Sequence, residues 1–193
     1  MGVTLELYLR DQVIRGELSA GQGRPLDVLN TAGEGYVILD NALAGSLHVD
    51  ALPIRLGTVR VHREQILLVV PHDSSSRMAP LLRAGWVEKK RVRVMVGLGP
   101  LMTSGVFHVG SWEGDQFSVE HLARGQDGRI FLPATEATVR SVYDPSWSVE
   151  CPSVFIPRPA ISYLALLEVT SESESSEGQT IEQIYRRLNA QAR

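Results

Sequence analysis

The chain says the same thing twice, and that constrains its fold more than any single motif. Gly16-Glu17-Leu18, Leu26-Asp27-Val28-Leu29, Gly35-Tyr36-Val37-Ile38-Leu39 and Val59 to Ile66 have faint second copies. These are Gly105-Val106-Phe107, Phe117-Ser118-Val119-Glu120, Gly128-Arg129-Ile130-Phe131-Leu132 and Val154 to Ile161, in the same order. The offset drifts from 105 − 16 = 89 to 161 − 66 = 95, as expected of a duplicated unit whose loops grew independently. Self-similarity of this kind speaks to architecture before chemistry.

At 193 residues and 44% hydrophobic, the chain can bury one large core or two small ones, and the echo favours two. A net charge of −3 gives no global attraction to nucleic acid or an anionic membrane, so such a contact needs a local basic patch. The single cysteine, Cys151, excludes an internal disulfide framework and fits a reducing compartment, with the cytoplasm as the default. Met1 to Glu6 lacks the basic region and apolar core of a secretory signal, and reads as the start of a strand. No segment approaches the roughly 18 consecutive apolar residues of a membrane span, so no membrane partner is expected.

Val3, Leu5, Leu7 and Leu9 alternate with polar neighbours at the period of a half-buried strand, and Val13 to Leu18 returns as its hairpin partner. Pro25 opens about one helical turn over Leu26 to Asn30. Strands are expected at Tyr36 to Leu39 and on both sides of the polar bend Arg63-Glu64-Gln65. Residues 1–71 form the first unit, and 72–88, with Ser74-Ser75-Ser76 and Pro80, the linker, holding a short helix at Met78 to Arg83. The second unit, 89–170, starts with Val92, Val94 and Val96 alternating against Arg91, Arg93 and Met95. It ends in an apolar run, Ile161 to Val169, that implies a strand buried on both sides.

Residues 171–179 form an acidic, Ser-rich stretch too poor in apolar groups to offset its ordering entropy, and read as a flexible tether. Residues 180–193 follow as a helix, with a capping box at Thr180 to Gln183 and an apolar stripe of Ile181, Ile184, Tyr185 and Leu188. A helix this short is marginal alone in water, so the stripe is a candidate face for docking in cis, for another copy or for a protein partner.

Together these segments resemble the Sm-like family of small SH3-like barrels. The residues that carry the resemblance are Gly16-x-Leu18, Leu29-Asn30, Val37-Ile38-Leu39-Asp40-Asn41-Ala42 and Leu56 to Ile66. It spans about 60 residues per unit, and the tandem arrangement is similar to uncharacterised bacterial proteins of this barrel type. The Gly that follows the family's Arg is Glu64 here and Pro159 in the second copy. The resemblance implies a mostly β chain of two tandem small barrels, side by side, with short helical insertions and a C-terminal helix. It also implies an RNA base pocket, for which Asn30 and Arg63 qualify by position in the first unit and Arg158 in the second.

Catalytic constellations are not found. The five histidines, His48, His62, His72, His108 and His121, fall in no metal-like spacing, with His48-x-Asp50 and His72-Asp73 the nearest approaches. Cys151 reads as a structural cysteine, and Gly97-Leu98-Gly99-Pro100 as a hairpin tip without the helix N-terminus of a phosphate loop. Neither a Walker pattern nor a Gly-x-Ser-x-Gly elbow is present. Paired carboxylates such as Asp40 with Asp50 stay a remote possibility. No cofactor is called for. Lys89, Lys90, Arg91 and Arg93 form the basic cluster of the body, either guarding a strand edge against pairing or contacting nucleic acid beside Trp86 and Trp112. The leading expectation is a non-catalytic cytoplasmic interaction or scaffold module working through exposed barrel edges or the C-terminal stripe. The alternatives are Sm-like binding of RNA or single-stranded nucleic acid, and a small-ligand site between the units.

Overall fold

Alternating apolar residues make the strands, and the strands join into one antiparallel sheet. A computed structural model describes residues 2–18, 24–31, 35–48, 52–72, 89–110, 122 and 128–167. The expected linker helix, Trp86, Trp112, His121, the acidic tether and the stripe of Ile181, Ile184, Tyr185 and Leu188 lie outside the described residues. The strands are β1 (Val3–Tyr8), β2 (Gln12–Leu18), β3 (Tyr36–Ser46), β4 (Ile54–His62) and β5 (Leu68–His72), then β6 (Lys89–Leu98), β7 (Leu101–Gly110), β8 (Phe131–Ser141), β9 (Ser148–Pro157) and β10 (Tyr163–Leu166). Helix α1 (Pro25–Asn30) starts on a proline, whose fixed φ suits a first helical position. Single 3-10 turns, Arg63–Gln65 and Arg158–Ala160, precede β5 and β10.

The sheet order is β10-β6-β7-β8-β9-β5-β1-β2-β3-β4, so the ladder is open and runs without a break from one half of the chain to the other. Within it, β5-β1-β2-β3-β4 and β10-β6-β7-β8-β9 share one order. Their registers also coincide at most positions, apart from the shifts around Ala42 in the β3–β4 pairing that β8–β9 lacks. Tyr8 opposes Leu68 as Gly97 opposes Tyr163, and Tyr36 opposes His62 as Phe131 opposes Pro157. The irregularity at Arg15/Glu17 recurs at Ser104/Val106, and the left-handed Asn41 (φ 50) recurs at Glu136 (φ 51). At the first irregularity a Cβ on Gly16 would lie 2.9 Å from the Asp40 carbonyl oxygen and 3.3 Å from the Ala42 Cα, so the backbones approach too closely there for a side chain.

Two apolar cores flank the joint of the halves. One gathers Leu5, Leu7, Ile14, Leu29, Leu39, Ile66 and Val69 of the first half, and the other Val94, Val96, Leu98, Phe107, Val139, Val154 and Ile156 of the second. Each half also fills the other. Phe131 and Phe155 enter the first core, while Tyr8, Leu68 and Val70 enter the second. Because side chains alternate along a strand, β5 sends Val69 to one core and its two neighbours to the other, and β9 does the same around Phe155. Only one residue pair, Val69 with Phe155, forms the ladder between them, so the joint rests on side chains more than on backbone pairing.

Two expectations need correction. The strand buried on both faces is β5, with Leu68, Val69 and Val70 all buried, whereas β10 is a sheet edge with Tyr163 and Leu166 exposed. Both runs are apolar, and topology alone separates them, since β10 has β6 on one side and no described strand on the other. The strand expected at Tyr36 to Leu39 extends to Ser46, because Asn41 takes a left-handed conformation and lets the chain bend without leaving the sheet.

Phe155 belongs to the second half yet fills the first core, so Phe155→Ala tests the joint directly. Its removal is expected to cost about 3–5 kcal/mol, as for other large-to-small core changes. Urea unfolding followed by far-UV circular dichroism and by tryptophan fluorescence should show that loss, with the two curves still superimposed.

Candidate functional site

The residues nominated for a nucleic-acid pocket hold the framework together. Asn30 ends α1, and its side chain reaches across to the start of β8. Its Oδ1 accepts from the backbone N–H groups of Ile130 and Phe131, both at 2.8 Å, and its Nδ2 donates to the Phe131 carbonyl at 3.2 Å. Arg63, on the first 3-10 turn, donates through Nη1 to the carbonyl of Thr31 at 2.9 Å. Arg158, on the second, donates through Nε to the carbonyl of Leu122 at 3.0 Å and through Nη1 to that of Arg129. The three side chains are thus gathered around neighbouring backbone at 30–31 and 129–131.

The basic cluster lies elsewhere, on β6. Arg91 pairs with Glu136 of β8 at 2.5 Å and Arg93 with the other oxygen of the same carboxylate at 3.5 Å. These pairs are solvent-exposed and contribute little to stability, on the order of 0–1 kcal/mol, but the one Glu136 carboxylate they share offsets one of the positive charges. Lys90 is exposed on the same strand, while the Lys89 side chain lies outside the described residues.

A cluster at the joint escaped the sequence. The Glu6 carboxylate meets His72 Nε2 at 3.0 Å, accepts from the Tyr8 hydroxyl at 3.3 Å and has Arg15 Nη1 at 3.6 Å. Burial, and then the Glu6 charge, push the Tyr8 phenol up from its ordinary value. Burial and the same carboxylate also raise the Cys151 thiol. Both groups stay protonated at neutral pH, the opposite of an activated nucleophile. The pairing of β1 with β5 places His72 beside this cluster, and local periodicity carries no signal for a pairing so distant in sequence.

The remaining polar candidates have simple partners. His48 faces Asp11 at 3.4 Å, and Asp40 accepts from the Thr58 hydroxyl at 2.7 Å, while Asp50 and Asp73 lie outside the described residues. Among the described residues no three His, Cys, Asp or Glu side chains converge as metal ligands, and no helix is long and apolar enough to cross a membrane. The crevice between the halves, lined by Leu47, His48, Pro100, Leu101, Ser141 and Trp147, encloses about 10 Å³, room for about one water. An open concavity of about 460 Å³ lies instead on β8 and β9, beside Glu136, Glu150 and Cys151.

Among the described residues, exposed apolar side chains stand at both ends of the sheet. On the β4 side Leu52, just before the strand, and Ile54 and Leu56 within it are exposed, at 93%, 66% and 47%. At the opposite end β10 presents Tyr163, 49% exposed, and Leu166. Large apolar side chains grouped at an edge with unpaired backbone groups mark a place where another strand can add.

Two outcomes test these assignments. Asn30→Ala removes three hydrogen bonds from α1 to Ile130 and Phe131 and leaves partly buried backbone groups of Phe131 unpaired, which should lower unfolding free energy by about 1–3 kcal/mol in urea titrations. The second concerns alkaline pH. The folded thiol ionises above the unfolded one, so its stabilisation is complete below the ordinary thiol value, about 8.5, and is lost as pH rises from there towards the folded value. Stability measured from neutral to alkaline pH should therefore fall, and Cys151→Ala should make that fall shallower.

No family model, curated protein or solved structure matches this chain.

Proposed function

We propose that this chain is a non-catalytic interaction or scaffold module, built as a tandem of two Sm-like units and acting in the cytoplasm through the exposed edges of its sheet. The observation that carries the reading is the pair of apolar sheet ends, with Leu52, Ile54 and Leu56 at one and Tyr163 and Leu166 at the other. The shared strand order and the largely matching registers support the tandem arrangement, including the matched irregularities at Gly16 and Gly105 and the left-handed Asn41 and Glu136. The protonated, buried state of Cys151 and Tyr8 supports a structural role for the groups nearest to chemistry.

Nucleic-acid binding through Asn30, Arg63, Lys89, Lys90, Arg91 and Arg158 has less behind it. Three of those side chains bond to backbone, and Arg91 faces Glu136. A small ligand between the units would need far more room than the described crevice offers.

Affinity capture with the full chain and with Leu56→Glu tests the edge reading. Specific protein partners retained by the native chain should be lost from the variant, while its circular dichroism stays unchanged because Leu56 is exposed. Identical partner sets for the two proteins would sink the reading. A salt-sensitive complex with mixed-sequence RNA, seen by fluorescence anisotropy, would replace it with the nucleic-acid alternative.

A further inference from the structure

We infer that the chain's own C-terminal segment folds back over Arg91 and Arg93, with its apolar stripe of Ile181, Ile184, Tyr185 and Leu188 seated in the open concavity on β8 and β9. This concerns a surface other than the sheet edges, so it and the edge reading can fail separately.

The end of the described chain fixes the starting point. Past β10 the backbone keeps to the sheet for one more step, as the Leu167 N–H donates to the Arg93 carbonyl at 3.0 Å. Because β10 is antiparallel to β6, the chain leaves along β6 towards Arg91 and Lys90. The Arg93 side chain in turn reaches Glu136 of β8, which lines the concavity. β8 and β9 lie two and three strands from β6 in the sheet order, about 10–15 Å at the usual strand spacing. Residues 168–179 can extend to about 40 Å, so the segment from residue 180 onwards has ample reach.

Charge sets the order of contact. Nearest the exit, Lys90, Arg91 and Arg93 are exposed, and the two arginines share one carboxylate, Glu136. Farther on, Glu150 is exposed at the concavity and has no ion pair among the described residues. The tail runs in the complementary order, with Glu172, Glu174 and Glu177 first and Arg186 and Arg187 after them. In the helix expected there, Arg186 stands four residues after Glu182, the spacing of an ion pair along one helix. Arg187 stands three residues after Ile184, flanks the stripe, and is the cation left to meet Glu150.

The concavity suits the stripe. It lies where the β8–β9 register passes the left-handed Glu136 and Pro152, between the pairs Thr135–Ser153 and Ala137–Cys151. Its volume of about 460 Å³ takes several side chains, and Ala137, Cys151 and Pro152 give it an apolar lining. Ile181 to Leu188 cover about 10 Å of helix axis, a contact two strands wide. A helix so short gains its stability from packing. The tether also gives it an effective concentration of about millimolar order towards its own sheet, which favours the same chain over a second copy.

Cys151, the one cysteine of the chain, lines the concavity and reports on its cover. In the full chain a maleimide should label it slowly, and trypsin should cut slowly after Arg186. Leu188→Glu spoils the stripe, and Glu150→Arg sets Arg187 against a like charge. Each should speed both reactions at least tenfold without unfolding the sheet, as circular dichroism checks. Glu150→Arg combined with Arg187→Glu should restore the slow rates, which a general loosening of the sheet would not do. Carbodiimide treatment of mixed isotopically light and heavy chains should join Glu172, Glu174 or Glu177 to Lys89 or Lys90 within chains of one isotope. Equal labelling and proteolysis rates in the native chain and Leu188→Glu overturn the inference, as does a charge swap that fails to restore protection. Cross-links between light and heavy chains, or protection that grows with protein concentration, would assign the concavity to a second copy and overturn it too.

Discussion

Two strands near the middle of the sheet, β5 and β9, each divide their side chains between two cores, and the rest of the molecule is arranged around that division. Val69 and Phe155 point one way, while Leu68, Val70, Val154 and Ile156 point the other. Burial of each such side chain is worth about 1.5–3 kcal/mol, far more than the single ladder pair between the strands contributes. The joint is thus an apolar wall that happens to be made of strands. Neither half closes its core without residues lent by the other, which is why the β-ladder continues from one half to the other.

Polar residues close to this wall serve it. Asn30 spends its amide on the first residues of β8, and the two 3-10 arginines anchor the loops that follow β2 and β7. A guanidinium or amide that bonds backbone in this way positions chain segments precisely enough for packing, and that use competes with recognition of an external ligand. Glu6 has a comparable place, meeting Tyr8, His72 and Arg15 at the rim of the second core.

Much of this was legible in the chain. Period-two alternation located β1, β2 and β6, Pro25 marked α1, and the bend at Arg63-Glu64-Gln65 is a 3-10 turn. What remained hidden depends on pairing between distant segments. The runs at Leu68 to Val70 and Tyr163 to Leu166 have similar composition, yet one is an interior wall and the other an edge. Asn30 and Arg63 drew attention because of residue type and place in a pattern, and their actual partners, Phe131 and Thr31, follow from how loops fold back rather than from any local signal. The exposure of Leu52, Ile54 and Leu56 is invisible to periodicity, since an apolar alternation looks the same whether or not a neighbour covers it.

The two-faced strand β5 has a consequence for how this protein is made. Synthesis runs from the N-terminus, and the residues of β9 that sit against β5 emerge 155 − 69 = 86 positions after Val69. Over that interval the cover of Leu68 and Val70 arrives piecemeal, and the core of the first half lacks Phe131 for the first 131 − 69 = 62 positions and Phe155 until the end. Domains usually fold in order of synthesis, but here the first to appear is unfinished by design and exposes a sticky strand while it waits. Expressing 1–71 by itself would freeze the chain at that stage, making the halves interdependent in their folding even where they look alike in their topology.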